Sequence, residues 1–147
     1  MTEEQSRKNT EALNQQQKNV AYLLKLMGER QYLPVIPMVD SEIVADDGWK
    51  SWTAYIGAAE IRKICCFNEK VVFLDEIVPW ETMDEMNMSY EDWGIDDEAP
   101  DDILRRQCLK ALKNLEWMEA IVVDIVLPEY RLPDNTERAR HGMAKTQ

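Results

Sequence analysis

The run Ala120–Leu127, with the sequence AIVVDIVL, decides the fold of this chain of 147 residues. Seven of its eight residues are apolar, and five of those are Ile or Val. A strand with one face in water alternates apolar and polar residues, whereas a strand covered on both faces is apolar almost throughout. The run therefore predicts the central strand of a sheet, and Pro128 ends it.

Asp124 is the one charged residue inside this run. Burying a carboxylate costs free energy unless a base pairs with it. Three interpretations follow: a position that faces an edge, an ion pair with Arg62 or Arg106, or, least favoured, a catalytic acid.

Weaker strand patterns lie upstream. Residues 52–56 alternate apolar and polar side chains up to Gly57, and Val71–Val78 is rich in β-branched residues. Leu33–Val39 contains two prolines, which limits it to an edge strand or an extended connector. Asp46, Asp47 and Gly48 indicate a turn. Residues 58–67 fit either a strand or a short helix, and we favour the helix.

Two amphipathic helices are predicted. Val20, Leu23, Leu24 and Met27 have the spacing of one helical face, and this helix should end at Gly28. Residues 1–19 are polar and predict only a frayed start to it. A second helix over residues 101–117 opens with a proline and two acids, which suit a helix N-terminus. Its apolar and basic faces consist of Leu104, Cys108, Ala111, Leu112 and Leu115, and of Arg106, Lys110 and Lys113.

These elements predict a single small α+β domain over residues 20–130. A short, mainly antiparallel sheet carries the N-terminal helix and the helix near 101–117 packed on it. Residues 131–147 lack apolar periodicity and predict a mobile C-terminal tail.

Charge is distributed very unevenly along the chain. It has 28 acids and 17 bases, a net charge of -11, yet residues 71–104 contain no Lys or Arg. Twelve acids lie between Asp75 and Asp102, and the rest of the chain sums to +1. Concentrated charge sets up a directional field, whereas spread charge mainly serves solubility. We call residues 75–102 the acidic segment.

Large apolar side chains interrupt the acids of this segment. Aromatic residues and Met are enriched at the centres of protein interfaces, while charged residues lie at their rims. The mixture predicts a partner-binding surface, although the same apolar residues would also suit the core of the domain itself. The predicted partner-binding residues are Trp80, Glu81, Asp84, Glu85, Met86, Tyr90, Glu91, Asp92, Trp93, Asp96, Asp97 and Glu98.

The density of the acids limits nucleic-acid mimicry. Glu91–Asp102 holds seven acids in twelve residues, which in an extended chain is one charge per roughly 6 Å. Duplex DNA carries one per about 1.7 Å of axis. The segment could imitate a duplex only if folding crowded several acids onto one face.

Several chemistries are disfavoured. The only histidine, His141, lies in the predicted tail, so a catalytic relay through histidine is not expected. Cys65, Cys66 and Cys108 have neither zinc-ligand spacing nor an even count, and we predict free thiols in a reducing, cytoplasmic setting. We predict no catalytic residues, no metal and no cofactor. No stretch is apolar enough to span a membrane.

The sequence therefore predicts a small acidic binding protein that docks on a basic surface of another protein. A nucleic-acid-processing enzyme or a toxin is the expected partner, with the chain acting as an inhibitor or immunity protein. Its charge argues against binding nucleic acid or membranes directly. One alternative is an accessory subunit of a complex. A second is a metal-assisted hydrolase that uses the acids around Asp96.

Overall fold

The computed structural model describes residues 2–39 and 53–142, and the predicted turn at 46–48 and the start of the strand at Trp52 fall outside them. A 3₁₀ turn covers Leu74–Glu76. In chain order the helices and strands are α1 (Glu3–Glu29), β1 (Val35–Val39), β2 (Tyr55–Phe67), β3 (Lys70–Phe73), α2 (Pro79–Glu85), α3 (Asp101–Lys113), β4 (Met118–Val126) and α4 (Thr136–His141).

The described strands form one mixed sheet in the order β1-β4-β2-β3. β2 runs antiparallel to both β3 and β4, and β1 is parallel to β4. The predicted α+β class, with a mainly antiparallel sheet, is confirmed. β4 lies between two strands, and Ala120–Val123 are almost fully buried, as its unbroken apolar run predicts.

Two of the three interpretations of Asp124, the edge position and the ion pair, are wrong. It is exposed although its strand is central, and the two proposed bases pair elsewhere. The register of β2 against β4 shifts between Ile56 and Ala59, beside Asp124. Gly57 lies in this irregularity, where a Cβ would come 3.1 Å from the Asp124 carbonyl oxygen. The exposed carboxylate of Asp124 therefore lies where the pairing of β2 with β4 is irregular.

Helix α1 covers one face of the sheet, and its polar side chains hydrogen-bond to the backbone at this irregularity. Leu26 packs with Ala59 and Ile121 in the sheet core. The Gln16 side chain accepts a hydrogen bond from the Ile56 N–H at 2.8 Å. The Asn19 amide donates to the Ile56 carbonyl at 2.9 Å. Polar residues of the predicted frayed start are therefore helical because their side chains bond to the sheet.

One predicted element is wrong and another is too long. Residues 58–67 are not a helix but most of β2, because pairing with β3 and β4 satisfies their backbone on both sides. The predicted strand Val71–Val78 ends at Phe73. Pro79 does not simply close that strand; it begins α2, since its fixed φ and missing N–H suit the first turn of a helix.

Pro37 explains how β1 forms the predicted edge strand. The Ile121 N–H donates to the Pro34 carbonyl at 2.9 Å, and Val35 aligns with Ile121. In a parallel pair, alternate residues bond to the neighbour. Residues 34, 36 and 38 therefore bond to β4, and Pro37 turns its backbone outward. The missing N–H of proline costs this sheet no hydrogen bond.

A second apolar cluster lies around α2 and α3, and we call it the helical core. Met83, Cys108 and Leu112 are fully buried in it, with Ile95 and Ala111 nearly so. These include the predicted inner face of the second helix. The predicted helix over 101–117 ends at Lys113, and its main packing partner is α2.

The C-terminal region contains a described helix, α4. Asn9 of α1 exchanges two hydrogen bonds of 3.0 Å with the backbone of Arg131, so the start of the predicted tail is tied to the domain. The mobility of the tail stays a prediction.

Candidate docking surface

The acidic segment is folded, and all twelve of its acids are exposed. It contains the 3₁₀ turn, α2 and the turns that lead to α3. Several of its apolar residues enter the helical core while its acids face water. This arrangement places the charge on the outside of a packed element.

Few of these acids are neutralised by neighbouring bases. Arg62 of β2 pairs with Asp75 at 2.5 Å and Glu76 at 3.2 Å, and its guanidinium lies 3.6 Å from the centre of the Phe73 ring. Arg106 pairs with Asp102 at 3.8 Å, with both side chains largely exposed. Within the described part of the chain, no ion pair involves the other nine, which are Glu81, Asp84, Glu85, Glu91, Asp92, Asp96, Asp97, Glu98 and Asp101.

The large apolar residues of the segment divide into two groups. Met83 is fully buried, and Met86, Met88 and Tyr90 pack against the same helical core. Trp80 and Trp93 are 39% and 41% exposed. The two sequence interpretations thus apply to different residues: the methionines and Tyr90 build the core, and the two tryptophans remain at the surface. Of the predicted binding residues, Met86 and Tyr90 belong to the core group.

Tyr90 shows that separate parts of the segment come together. Burial, followed by a hydrogen bond to Cys108, raises the pKa of its phenol, and the negative charges of Asp84 and Asp97 contribute. Asp84 is on α2, whereas Asp97 is in the turn before α3. Acids that are thirteen positions apart therefore act on one phenol, so folding concentrates charge that an extended chain would spread.

Trp93 is carried by a closely bonded turn. Its N–H approaches the carbonyls of Ser89 and Tyr90 at 3.3 and 3.2 Å. The Ile95 N–H donates to the Tyr90 carbonyl at 2.8 Å, and Ile95 is buried. Gly94 has a φ of 67°, in the left-handed region that glycine adopts without a Cβ penalty. These bonds fix the backbone that carries the Trp93 side chain.

A cleft of about 220 Å³ opens beside Trp93. The side-chain oxygen of Gln107 is buried without a hydrogen-bond partner, and Gln107 lines this cleft. Sequence reasoning missed Gln107, because it carries no charge and interrupts no pattern. The cleft is lined by Trp93, Gly94, Ile95, Gln107, Lys110, Ala111 and Asn114.

Met86 lines a different cleft, between the helical core and the ends of β2 and β4. That cleft of about 590 Å³ also involves Cys66, Leu115 and Trp117. Met86 therefore does not share the cleft beside Trp93. The structure brings Trp93 together with residues of α3 rather than with this methionine.

The acids and cysteines of the described residues do not converge on one site. Within residues 2–39 and 53–142, no group of three or more His, Cys, Asp or Glu side chains could hold a metal ion. The Asp96 carboxylate instead accepts a hydrogen bond from the Glu98 N–H at 3.0 Å. Cys65, Cys66 and Cys108 are free thiols, as predicted, and burial raises the pKa of Cys65.

None of the described helices combines the length and the apolar character that crossing a bilayer requires. Comparisons with protein-family models, curated proteins and solved structures find no match.

Proposed function

We propose that this chain is a binding protein whose acidic segment docks on a basic site of a partner protein and blocks that site. The observation that carries the proposal is the segment's exposed charge. Nine exposed acids lie outside any ion pair of the described residues, around two tryptophans that are about two-fifths exposed. A partner groove that binds nucleic acid would supply the matching positive charge.

The division of labour within such a surface follows from physical chemistry. Exposed charges act mainly on the rate of encounter with an oppositely charged partner, and salt screens them. Aromatic side chains that fill pockets act mainly on the rate of dissociation. Removing the charges should therefore change the association rate, and removing the aromatic anchors should change the dissociation rate.

Charge removal tests the field. The full chain captures its partner at low salt, and association rates are then measured with the purified partner by surface plasmon resonance. Replacing Asp96, Asp97 and Glu98 by Asn, Asn and Gln should slow association about tenfold and flatten its salt dependence. A matched triple on α1 removes the same charge elsewhere and should change the rate far less: Glu3→Gln, Glu11→Gln and Glu29→Gln. Equal effects of the two triples would contradict a localised docking surface.

Removing Trp93 tests the anchor. Trp93→Ala should weaken binding by about 2 kcal/mol or more, through faster dissociation, if the ring fills a pocket on the partner. The melting temperature of the variant is the control. A large fall in melting temperature with unchanged dissociation would assign Trp93 to the protein's own core.

A second candidate function, an accessory subunit, is favoured by a different surface. Leu13, Leu24 and Met27 are 42%, 60% and 40% exposed along one side of α1. An interface there would be salt-tolerant, because burial of apolar surface does not depend on charge. Capture that persists at high salt and is lost in Leu24→Glu would favour the subunit over the inhibitor.

A further inference from the structure

The cleft beside Trp93 has the dimensions of a single side chain. Its volume of about 220 Å³ is below the roughly 300–1,000 Å³ that is usual for small-molecule sites. Ile95 and Ala111, both nearly buried, contribute apolar surface, and the Trp93 ring forms part of the wall. An occupant with a slender apolar stem fits this lining.

Gln107 indicates what the end of that occupant should be. Its side-chain oxygen is enclosed and accepts no hydrogen bond, which is unfavourable for a buried acceptor. The terminal torsion of glutamine is broad, so the amide can turn its oxygen toward the cleft when a donor arrives. The occupant should therefore carry N–H donors.

The negative charge near Trp93 favours a positively charged group among the possible N–H donors. Glu91, Asp92 and Asp96 lie within three positions of Trp93, are exposed, and form no ion pair with any described residue. A guanidinium group stacks on aromatic faces, offers five donors and is less strongly hydrated than an ammonium group. Lys110 also lines the cleft and opposes a cation, but its side chain is exposed, so its ammonium group can stay in water.

From this geometry we propose that the cleft receives an arginine side chain of the partner, an inference that rests on the proposed function. The stem lies over Ile95 and Ala111, and the guanidinium stacks on Trp93 and donates to the Gln107 oxygen. The backbone of residues 89–95 is already hydrogen-bonded in the turn, so little backbone ordering is required on binding.

The inference is tested on the full chain with N-acetyl-arginine amide as the probe, by nuclear magnetic resonance titration. Chemical-shift changes should concentrate at the Trp93 indole and the Gln107 side-chain amide. N-acetyl-citrulline amide has nearly the same shape without the charge and should bind at least tenfold more weakly.

Matched variants separate the cleft from the general acidic surface. Trp93→Ala and Gln107→Leu should each weaken probe binding about tenfold or more, while Trp80→Ala, an equally exposed tryptophan outside the cleft, should leave it unchanged. Gln107→Leu also removes the unpaired oxygen, so its melting temperature should not fall. Lys110→Gln should tighten binding roughly two- to fivefold, the range of an exposed charge interaction.

Three results would overturn the inference: equal binding of the citrulline probe, unchanged binding in Trp93→Ala, or weaker binding in Lys110→Gln. The proposed function fails separately, when the acidic triple leaves the rate of partner association unchanged. An intact cleft with an unchanged association rate would thus refute docking through the field while retaining the arginine site.

Discussion

The sheet core and the helical core are built in different ways. In the sheet core, β-branched residues of β4 align in register with β1 and β2, and α1 bonds directly to the sheet backbone. In the helical core, Met83, Cys108 and Leu112 are sealed by half-buried methionines and Tyr90. Methionine and cysteine pack adaptably and specify less than β-branched residues in a strand. The concentrated negative charge thus lies on the more adaptable of the two cores.

The largest expected effects come from opening each core in turn. Ile121→Ala and Leu112→Ala each remove a fully buried side chain and should cost about 2–5 kcal/mol of unfolding free energy, measured by chemical denaturation. Hydrogen exchange then shows which helices and strands each substitution destabilises. Leu112→Ala should accelerate exchange in α2, α3 and the turn at 89–95, and leave β4 protected.

Ile121→Ala is the reciprocal control. It should accelerate exchange throughout the sheet, because Ile121 lies on the central strand. If Leu112→Ala accelerates β4 as strongly as α3, the two cores form one cooperative unit and the contrast between them fails.

A smaller effect is expected at the turn that carries Trp93. Gly94→Ala places a Cβ in the left-handed region and should cost about 1–2 kcal/mol. Beyond the adjoining residues, no described atom lies within 4 Å of the added methyl group, so the cost comes from backbone conformation and not from a clash. The free energy of unfolding measures this cost. Gly28→Ala is the control, because it has equal space and lies in a helix, where alanine should stabilise.

The smallest effect concerns Tyr90 at alkaline pH. Its pKa is raised by folding, so the folded state holds the phenolic proton longer than the unfolded state does. The stability that this provides is complete below about pH 10, the usual tyrosine pKa, and is lost as pH rises through the folded-state pKa. Tyr90→Phe should therefore flatten the fall in unfolding free energy above about pH 10.

Tyr55 provides the comparison on the sheet side, since burial also raises the pKa of its phenol. Tyr55→Phe should flatten the same fall through a residue that lies outside the helical core. An unchanged alkaline profile in Tyr90→Phe would mean that burial and the hydrogen bond to Cys108 do not raise the pKa of this phenol in solution.

The sequence predicted the parts of the fold whose residues are determined by burial. β4 and the inner face of α3 are such parts, because their patterns are apolar at nearly every position or at strict helical spacing. The strand at residues 58–67 could not be distinguished from a helix, since it is fixed by pairing with β3 across a short hairpin and with the distant β4. Local patterns carry little information about such pairing.

The candidate site was predictable in its charge and not in its shape. Acids are exposed because burying them is costly, and all twelve are found at the surface. Which apolar residues stay outside was not predictable: Trp80 and Met83 are three positions apart on α2, yet only Met83 is buried. Gln107 became notable only once α3 had been placed beside the Trp93 turn.

The outward-facing Pro37 also limits how another molecule can pair with the edge of the sheet at β1. A strand added beside β1 would meet a missing donor at the middle of a five-residue edge. Stacking of copies into extended sheets would lose the same bond in each layer, which protects an otherwise apolar strand from aggregation. At this edge, recognition by backbone pairing is penalised. Partners that approach β1 must rely on side-chain shape.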